Sequence, residues 1–323
     1  MIAPPRLGVA LRGPMTQSAP FLRIGTRGSP LALAQARETR ARLAAAHQVD
    51  PDAIEITVIR TTGDAIQNRP LVEIGGKGLF TKEIEQALID RTIDLAVHSA
   101  KDVPAVLPDG LVLTACLPRE DPRDAFISRK AATLADLPPG AVIGTASPRR
   151  HAMVKRLRRD LEVISFRGNV ETRLKKLDAG EVDATLLAVA GLKRLGLAAA
   201  ATSLLEPDDF LPAVGQGVIA IEARASDERT RNLLAAIDDA AAATALAAER
   251  AFLAMLEGSC RTPIAGHARL IDGGLAFRGL IVKPDGSASF AAERRGAPAD
   301  AAALGSDAGR ELKGRAGPDF FAA

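Results

Sequence analysis

The sequence predicts an α/β protein made of two related lobes and a smaller C-terminal α+β domain. From residue 21 the order strand, glycine-bearing loop, helix recurs, and such alternation is typical of parallel sheets flanked by helices. A short internal repeat relates the stretches IGT and SP within residues 24–30 to the same stretches within 143–148. Beyond residue 226 a long Ala-rich segment precedes strands that follow one another as antiparallel neighbours.

The first lobe is predicted to begin with a strand and a capped helix. Ser29 is a favoured N-cap residue, and Pro30 suits the first helical position. Apolar and β-branched periodicity then predicts strands at 21–26, 54–60, 93–99 and 111–117 and helices at 31–47 and 81–90.

The second lobe is predicted to begin near residue 124 and to return to the first through a loop at 212–217. Its strands are expected at 141–145, 161–166 and 183–189, and the strand 218–223 follows the loop. The third domain is expected to hold a helix at 240–257, strands at 264–270 and 275–282 and a turn at 284–286. The last ~20 residues are polar, glycine-punctuated and weakly helical, and no definite structure is predicted for them. The predicted domains are 21–117 with 218–238, 118–217 and 239–323, after a disordered tail at 1–20.

Composition excludes several classes of protein. Lys plus Arg number 42 and Asp plus Glu 39, so the net charge of +3 is too mild to indicate nucleic acid by itself. No apolar run approaches the ~20 residues that span a bilayer. Aromatic residues are 3% and all are Phe, which disfavours stacking on bases. Two cysteines form no disulfide framework or metal-ligand spacing, so we expect no metal and a cytoplasmic protein.

Arginines recur where predicted strands pass into helices. A helix N-terminus attracts anions, ligands of open α/β sheets bind at the carboxyl ends of strands, and guanidinium groups suit carboxylates. A polyanionic ligand is therefore predicted, the alternative being a solvated basic surface. Residues 147–176 hold ten basic and three acidic residues, but a single aromatic residue, Phe166, disfavours nucleic acid there. The junction arginines are Arg27, Arg149, Arg150, Arg167 and Arg173.

Two further residues are candidates for chemistry. Asp102 follows a predicted parallel strand and precedes Pro104, which places its carboxylate in a cleft; the alternative is a pair with Lys101 or a turn cap. Cys260 is expected on a loop, as a nucleophile or an attachment point. A Cys–His hydrolase using Cys260 and His267 is the weaker alternative.

The chain resembles the porphobilinogen deaminase (hydroxymethylbilane synthase) family in a series of motifs that stand in family order. They are RIGTRGSPLA at 23–32, GGKGLF at 75–80, HSAKDVP at 98–104, REDPRD at 119–124, RGN at 167–169, LLAVAGL at 186–192, LPAVGQG at 211–217 and EGSC at 257–260. The resemblance implies two periplasmic-binding-protein-like lobes and a third domain carrying a reactive cysteine. It also implies a monomeric transferase that condenses four porphobilinogen molecules on a covalent dipyrromethane cofactor, with loss of ammonia, and releases hydroxymethylbilane for tetrapyrrole biosynthesis.

The resemblance also implies roles for particular residues. The catalytic acid is Asp102, and Cys260 forms the thioether to dipyrromethane. The other cofactor-binding residues are Lys77, Lys101, Ser99, Thr145, Ser147, Arg149, Arg150 and Gly168. The substrate-binding residues are Arg27, Ser29, Gln35, Arg167, Arg173 and Arg194. The departures are Glu73 in place of Lys, Ala146 in place of a hydroxyl residue and Pro148 in place of Leu. The main rival is a non-enzymatic ligand-binding module with the same two lobes.

Overall fold

A computed structural model describes residues 20–65, 78–258 and 262–321 of the 323-residue chain. Its strands are β1 Leu22–Thr26, β2 Ile54–Val58, β3 Leu95–Ser99, β4 Leu111–Cys116, β5 Asp124–Ser128, β6 Val142–Gly144, β7 Glu162–Ile164, β8 Ala184–Ala188, β9 Ser203–Leu205, β10 Ile219–Arg224, β11 Ile264–Ile271, β12 Gly274–Val282 and β13 Ser289–Gly296. Its helices are α1 Pro30–His47, α2 Thr62–Ala65, α3 Lys82–Ile89, α4 Pro148–Leu157, α5 Val170–Asp178, α6 Val189–Arg194, α7 Glu228–Ala235, α8 Ala240–Met255 and α9 Ala301–Ala316.

Two five-stranded sheets share one topology. The first has the order β2-β1-β3-β10-β4 and the second β7-β6-β8-β5-β9. In each sheet the first three strands are parallel and the fourth is antiparallel to both its neighbours. The prediction of two related α/β lobes is confirmed, and residues 117–123 and 206–218 connect them. The domain boundaries themselves stay a prediction.

The internal repeat places equivalent helix caps at the ends of equivalent strands. After β1 the Ser29 hydroxyl accepts from the amide of Ala32 at 3.3 Å, and after β6 the Ser147 hydroxyl accepts from the amide of Arg150 at 3.4 Å. A proline follows each cap, as the sequence predicts. Both helices therefore begin at the same edge of their sheets.

Each lobe has its own core, and the core of the second lobe extends into the third domain. Leu22, Ile24 and Leu95 are fully buried beneath α1 in the first lobe. In the second, Phe126 and Ile143 belong to a cluster that also contains Leu280 and Val282 of β12. Burial of such side chains contributes ~1.5–3 kcal/mol each, so this shared cluster fixes the third domain against the second lobe.

The third domain is an antiparallel sheet, β11-β12-β13, covered by α8 and α9. The helical pattern at the end of the chain is weak, because glycines at 305 and 309 lower helix propensity, and no definite structure was predicted where α9 forms. The structure explains them: a Cβ at Gly305 would lie 1.9 Å from the carbonyl oxygen of Ala248, so glycine lets α9 approach α8 closely. Ala308 and Leu312 complete the buried face of α9.

Other differences from the prediction are small. β5, β9 and β13 were not predicted, and β6 and β7 are only three residues long. The predicted tail at 1–20 lies almost wholly outside the described residues. Among the helices of the described ranges, none combines the length and apolar character needed to cross a membrane.

Candidate active site

The Asp102 turn lies where β3 of the first lobe ends. Residues Ala100–Asp102 form a short 3-10 turn, and the amide of Ala100 donates to the carbonyl of Val218 at 3.0 Å. Gly215 has a positive φ of 72°, and a Cβ there would lie 3.0 Å from that of Ala100. The predicted loop 212–217 thus supports the turn from behind. Asp102 itself forms no hydrogen bond or ion pair with another residue of the described ranges.

The third domain holds this support in place. Glu249 of α8 is fully buried and accepts from the amides of Gly215 at 2.6 Å and Ala268 at 2.8 Å. Its carboxylate also pairs with Arg119. One residue farther along α8, Arg250 donates to the carbonyl of Pro104 at 2.8 Å. The third domain therefore contacts the segments on both sides of the Asp102 turn.

A cavity of about 60 Å³ lies beside Asp102. It brings together three of the six residues predicted to bind substrate, Arg27, Ser29 and Gln35. Gln35 Nε2 donates to the Ser99 hydroxyl at 2.9 Å within it. Arg27 lies 4.2 Å above the ring centroid of Phe80 and pairs with Asp64. Although burial opposes it, hydrogen bonds from Arg27 and Thr61 lower the pKa of Asp64. The cavity is lined by Arg27, Ser29, Leu31, Ala32, Gln35, Phe80, Thr81, Val97, His98, Ser99 and Asp102.

The second lobe contributes a buried guanidinium pair. Asp124, at the start of β5, is fully buried and lies 2.7 Å from both Arg149 and Arg150. Arg149 also donates to the carbonyl of Leu211, and Arg150 to that of Leu186, at 2.8 and 2.9 Å. Although burial raises it, the two arginines lower the pKa of Asp124 to about 2. Both side chains are therefore held rigidly at the carboxyl edge of the second sheet.

Electrostatic coupling links the strand ends of the two lobes. Burial lowers the pKa of Lys101 to about 8, and the charge of Arg150 acts in the same direction, against Asp102 and Asp124. Burial also lowers the pKa of Arg173 to about 10, assisted by Arg150 and Arg167. The cations repel one another in a partly desolvated space, and a bound polyanion would relieve that repulsion.

Three further residues predicted to bind the cofactor follow the carboxyl ends of β6 and β7 in the second sheet: Thr145, Ser147 and Gly168. The Thr145 hydroxyl accepts from the amide of Ser147 at 3.2 Å, so both hydroxyls already serve the start of α4. The carbonyl of Gly168 accepts from Arg173 Nε at 2.9 Å. In this arrangement they orient the arginines around them.

Arg194 lies apart from this group. Arg194 Nη2 donates to the carbonyl of Gly217 at 3.0 Å, and its Nε lies 3.4 Å from a carboxylate oxygen of Glu38 on α1. Lys77 and Cys260 lie outside the described residues, as does Glu73.

Sequence reasoning missed the acidic partners Asp64, Glu38 and Asp124. Asp124 closes the REDPRD motif, and its place just before a predicted strand was the one local signal available. His267 gives no support to the hydrolase alternative, because burial and the charges of Arg119 and Arg269 lower its pKa to about 3. Such an imidazole is a weak base at neutral pH.

Comparison with known proteins identifies the family. Residues 22–232 match the family model described as porphobilinogen deaminase, dipyromethane cofactor binding domain, and residues 243–314 match the porphobilinogen deaminase C-terminal domain. The chain belongs to the porphobilinogen deaminase family. It is 65% identical over 298 residues to porphobilinogen deaminase of Nitrobacter hamburgensis, covering 92% of this chain and 94% of that protein. It is 58% identical to that of Paracoccus denitrificans, covering 93% and 96%.

The solved structures that were compared with this member of the porphobilinogen deaminase family have lower sequence identity to it than the two relatives above. The methionine-binding protein MetQ is 13% identical with a TM-score of 0.43, covering 67% of this chain and 89% of that one. A periplasmic substrate-binding protein of an ABC transporter from Coxiella burnetii is 14% identical with a TM-score of 0.41, covering 69% and 94%.

The residues present fit the dipyrromethane cofactor of the porphobilinogen deaminase family. Each of its two pyrroles carries an acetate and a propionate, so the group is a compact polyanion. Burial lowers the pKa values of Lys101 and Arg173, and the charge of Arg150 acts on both in the same direction. Each of these three cations follows the carboxyl end of a strand. Carboxylates bound there would gain charge-assisted hydrogen bonds.

Proposed function

We propose that this protein is a hydroxymethylbilane synthase, acting as a monomer in the cytoplasm. Four porphobilinogen molecules are condensed head to tail with loss of ammonia, and hydrolysis releases hydroxymethylbilane. The dipyrromethane cofactor, attached to Cys260, supplies the pyrrole carbon on which the chain grows. The observation that carries the proposal is Asp102, an acid at a strand end that has no hydrogen-bond or ion-pair partner among the described residues, lines a cavity with Arg27 and lies next to Lys101.

In this proposal Asp102 stabilises the positive charge that develops on substrate. Departure of ammonia leaves a cationic azafulvene, and a carboxylate ~4 Å from that charge attracts it by ~4 kcal/mol at an effective dielectric constant of ~20. Each ~1.4 kcal/mol realised only in the transition state is about tenfold in rate, so this contact contributes up to ~3 orders of magnitude. Because none of the described residues forms a hydrogen bond or ion pair with Asp102, its carboxylate is available to substrate in this proposal.

The surrounding residues divide between recognition and orientation. Arg27, Ser29, Gln35 and Ser99 lie beside Asp102 and are assigned to the incoming porphobilinogen. The cations between the lobes are assigned to the acetate and propionate groups of the bound chain. They are Lys101, Arg150, Arg167 and Arg173, with Arg149, Thr145, Ser147 and Gly168 as their supports and Arg194 as a more remote contact.

Intact mass followed by peptide mapping tests the covalent part of the proposal. We expect a two-pyrrole adduct on the peptide that contains Cys260, and the Cys260→Ala protein should lack both the adduct and porphobilinogen consumption. Cys116→Ala is the matched control, because Cys116 is buried in β4 and should carry no adduct. A ligand-binding module would keep its ligand affinity in Cys260→Ala. Unmodified Cys260 after incubation with porphobilinogen would refute the proposal, and size-exclusion chromatography with light scattering tests the monomer.

A further inference from the structure

The segment 211–218, which returns the chain from the second lobe to the first, contacts functional elements of both lobes. On the side of the first lobe, the carbonyl of Val218 accepts from the amide of Ala100 at 3.0 Å, at the start of the Asp102 turn. On the side of the second lobe, the carbonyl of Leu211 accepts from Arg149 Nη1 at 2.8 Å. One short segment is therefore bonded both to the turn that carries the acid and to the buried guanidinium pair.

Within this segment the side chain of Gln216 reaches the buried carboxylate of Asp124. Gln216 is fully buried, and its Nε2 donates to Asp124 Oδ1 at 3.1 Å and to the carbonyl of Pro122 at 2.7 Å. The same Asp124 Oδ1 accepts from Arg150, from Nε at 3.0 Å and from Nη2 at 2.7 Å. Gln216 and Arg150 therefore share one carboxylate oxygen, and the position of each depends on the other.

The surroundings of Gln216 require a neutral donor at this position. Its Nε2 faces only oxygen acceptors, whereas a carboxylate there would face Asp124 as a like charge and would compete with it for Arg150. The backbone is fixed as well, because the amide of Gln216 donates to the carbonyl of Ala213 at 3.0 Å and its carbonyl accepts from Arg119 Nε at 2.9 Å. Side chain and backbone are thus held together in one geometry.

We propose that Gln216 is a positioning residue that holds Arg150 at a fixed separation from Asp102. The inference rests on the proposed function, in which Arg150 binds carboxylates of the growing chain and Asp102 stabilises the cation that forms on substrate. The separation of the two side chains then decides where the reacting pyrrole lies relative to the carboxylate. Burial and the charge of Arg150 both lower the pKa of Lys101, the residue before Asp102, so the two strand ends interact electrostatically.

Gln216→Met tests the role in turnover, because it keeps the length of the side chain and removes its donors. A displacement of ~1 Å at reacting groups can cost ~100-fold in rate, so kcat per cofactor-loaded molecule should fall by about 10- to 100-fold. KM for porphobilinogen should change less than twofold, since the residues assigned to incoming substrate lie beside Asp102 in the first lobe. Intact mass gives the loaded fraction, and a kcat equal to that of wild type would overturn the proposal.

Ser128→Ala is the matched control for a loss of stability alone. Ser128 lies at the end of β5 opposite to Asp124, and its buried hydroxyl donates to the carbonyl of Asp183 at 2.7 Å. This variant should lower Tm by roughly 2–6 °C and leave kcat per cofactor-loaded molecule unchanged. Equal losses of kcat in Ser128→Ala and Gln216→Met would show that Gln216 only stabilises the fold.

Hydrogen–deuterium exchange of the cofactor-loaded proteins tests the link without turnover. In Gln216→Met, exchange should become at least about fivefold faster both in the peptide that contains Ala100 and in the peptide that contains Arg150, whereas Ser128→Ala should change neither. Faster exchange in only one of the two peptides would refute the link between the lobes. If Gln216→Met does not fold, Gln216→Glu, which keeps the size of the side chain, should give the same losses. Because no porphobilinogen is present, the exchange result is independent of the proposed reaction: a wild-type protein without turnover would refute that reaction alone.

Discussion

Two carboxylates at equivalent edges of the two lobes have opposite environments. Asp102 follows β3 of the first sheet, lines a cavity and has no partner in the described ranges. Asp124 begins β5 of the second sheet, is fully buried and contacts two guanidinium groups at 2.7 Å. The sheets that carry them have the same strand order. Similar frameworks therefore leave one acid available for chemistry and use the other to fix cations.

Two sheets with the same strand order thus place their acidic residues in different environments. A carboxylate that is to stabilise a cation developing on substrate acts most strongly when no protein cation already pairs with it. Arg149 and Arg150, in contrast, have a fixed geometry, because both donate hydrogen bonds to Asp124. The first lobe thus carries an acid without a partner among the described residues, whereas the second carries two arginines held by Asp124.

The largest expected effect comes from neutralising Asp102. Asp102→Asn should lower kcat by up to ~10³-fold, because it removes the charge that stabilises the developing cation. The free energy of unfolding should change by less than about 0.5 kcal/mol, since no described residue bonds to Asp102. Porphobilinogen consumption, intact mass and thermal unfolding measured on one sample test this. Near-normal turnover with the cofactor attached would exclude Asp102 from the mechanism.

Neutralising Asp124, in contrast, should mainly lower the stability of the folded protein. Asp124→Asn leaves two buried guanidinium groups without a counter-charge, and the free energy of unfolding should fall by about 3–5 kcal/mol. The folded-state pKa of about 2 lies below the ordinary ~3.9, so this stability is present above about pH 4 and is lost as pH falls towards 2. Urea unfolding at pH 7 and pH 3 measures both effects. A variant as stable as wild type at pH 7 would show that the pair is not structural.

The elements that sequence predicted well are those whose signals are local. The Ser29 and Ser147 caps, the strands that precede them and the Asp102 turn each depend on a few adjacent residues. The repeat of these signals was sufficient to predict two related lobes. Family resemblance supplied the roles of individual residues, which spacing alone left open.

What sequence could not predict depends on distant contacts. Asp124 meets Arg149 and Arg150 only after β5 inserts beside β8, and nothing in the local pattern fixes that strand order. Glu38 reaches Arg194 across the lobes, from 156 positions away in the chain. The glycines of α9 reduce its helical signal although they permit its packing on α8. Each case joins elements whose adjacency is a property of the whole fold.

The pH dependence of KM tests whether the charge of Lys101, a cation of the first lobe, contributes to substrate binding. The folded-state pKa of Lys101 is about 8, so its charge is lost above that pH, and KM for porphobilinogen should rise several-fold between pH 7 and pH 9.5. Between pH 7 and pH 9.5 this lysine is protonated to a greater extent in the unfolded chain than in the folded protein. Its contribution to the free energy of unfolding therefore increases as pH rises. Lys101→Arg is the control, because its charge persists and its KM should vary less. Identical profiles for the two proteins would assign the effect to other groups.

The smallest expected effect concerns the contact that joins the lobes through Arg194. This side chain was predicted to bind substrate, yet Glu38 lies 3.4 Å from its Nε, and a substrate carboxylate would have to displace that acid. Glu38→Gln should therefore lower KM by about two- to fivefold, whereas the free energy of unfolding should fall by no more than about 1 kcal/mol, as for other partly exposed pairs. Glu120→Gln is the matched control: it removes the neighbouring contact with Lys193 at 2.7 Å and should leave KM unchanged. An unchanged KM in Glu38→Gln would show that Arg194 serves only to join the lobes, in which case recognition of the chain's carboxylates depends on the cations between the strand ends.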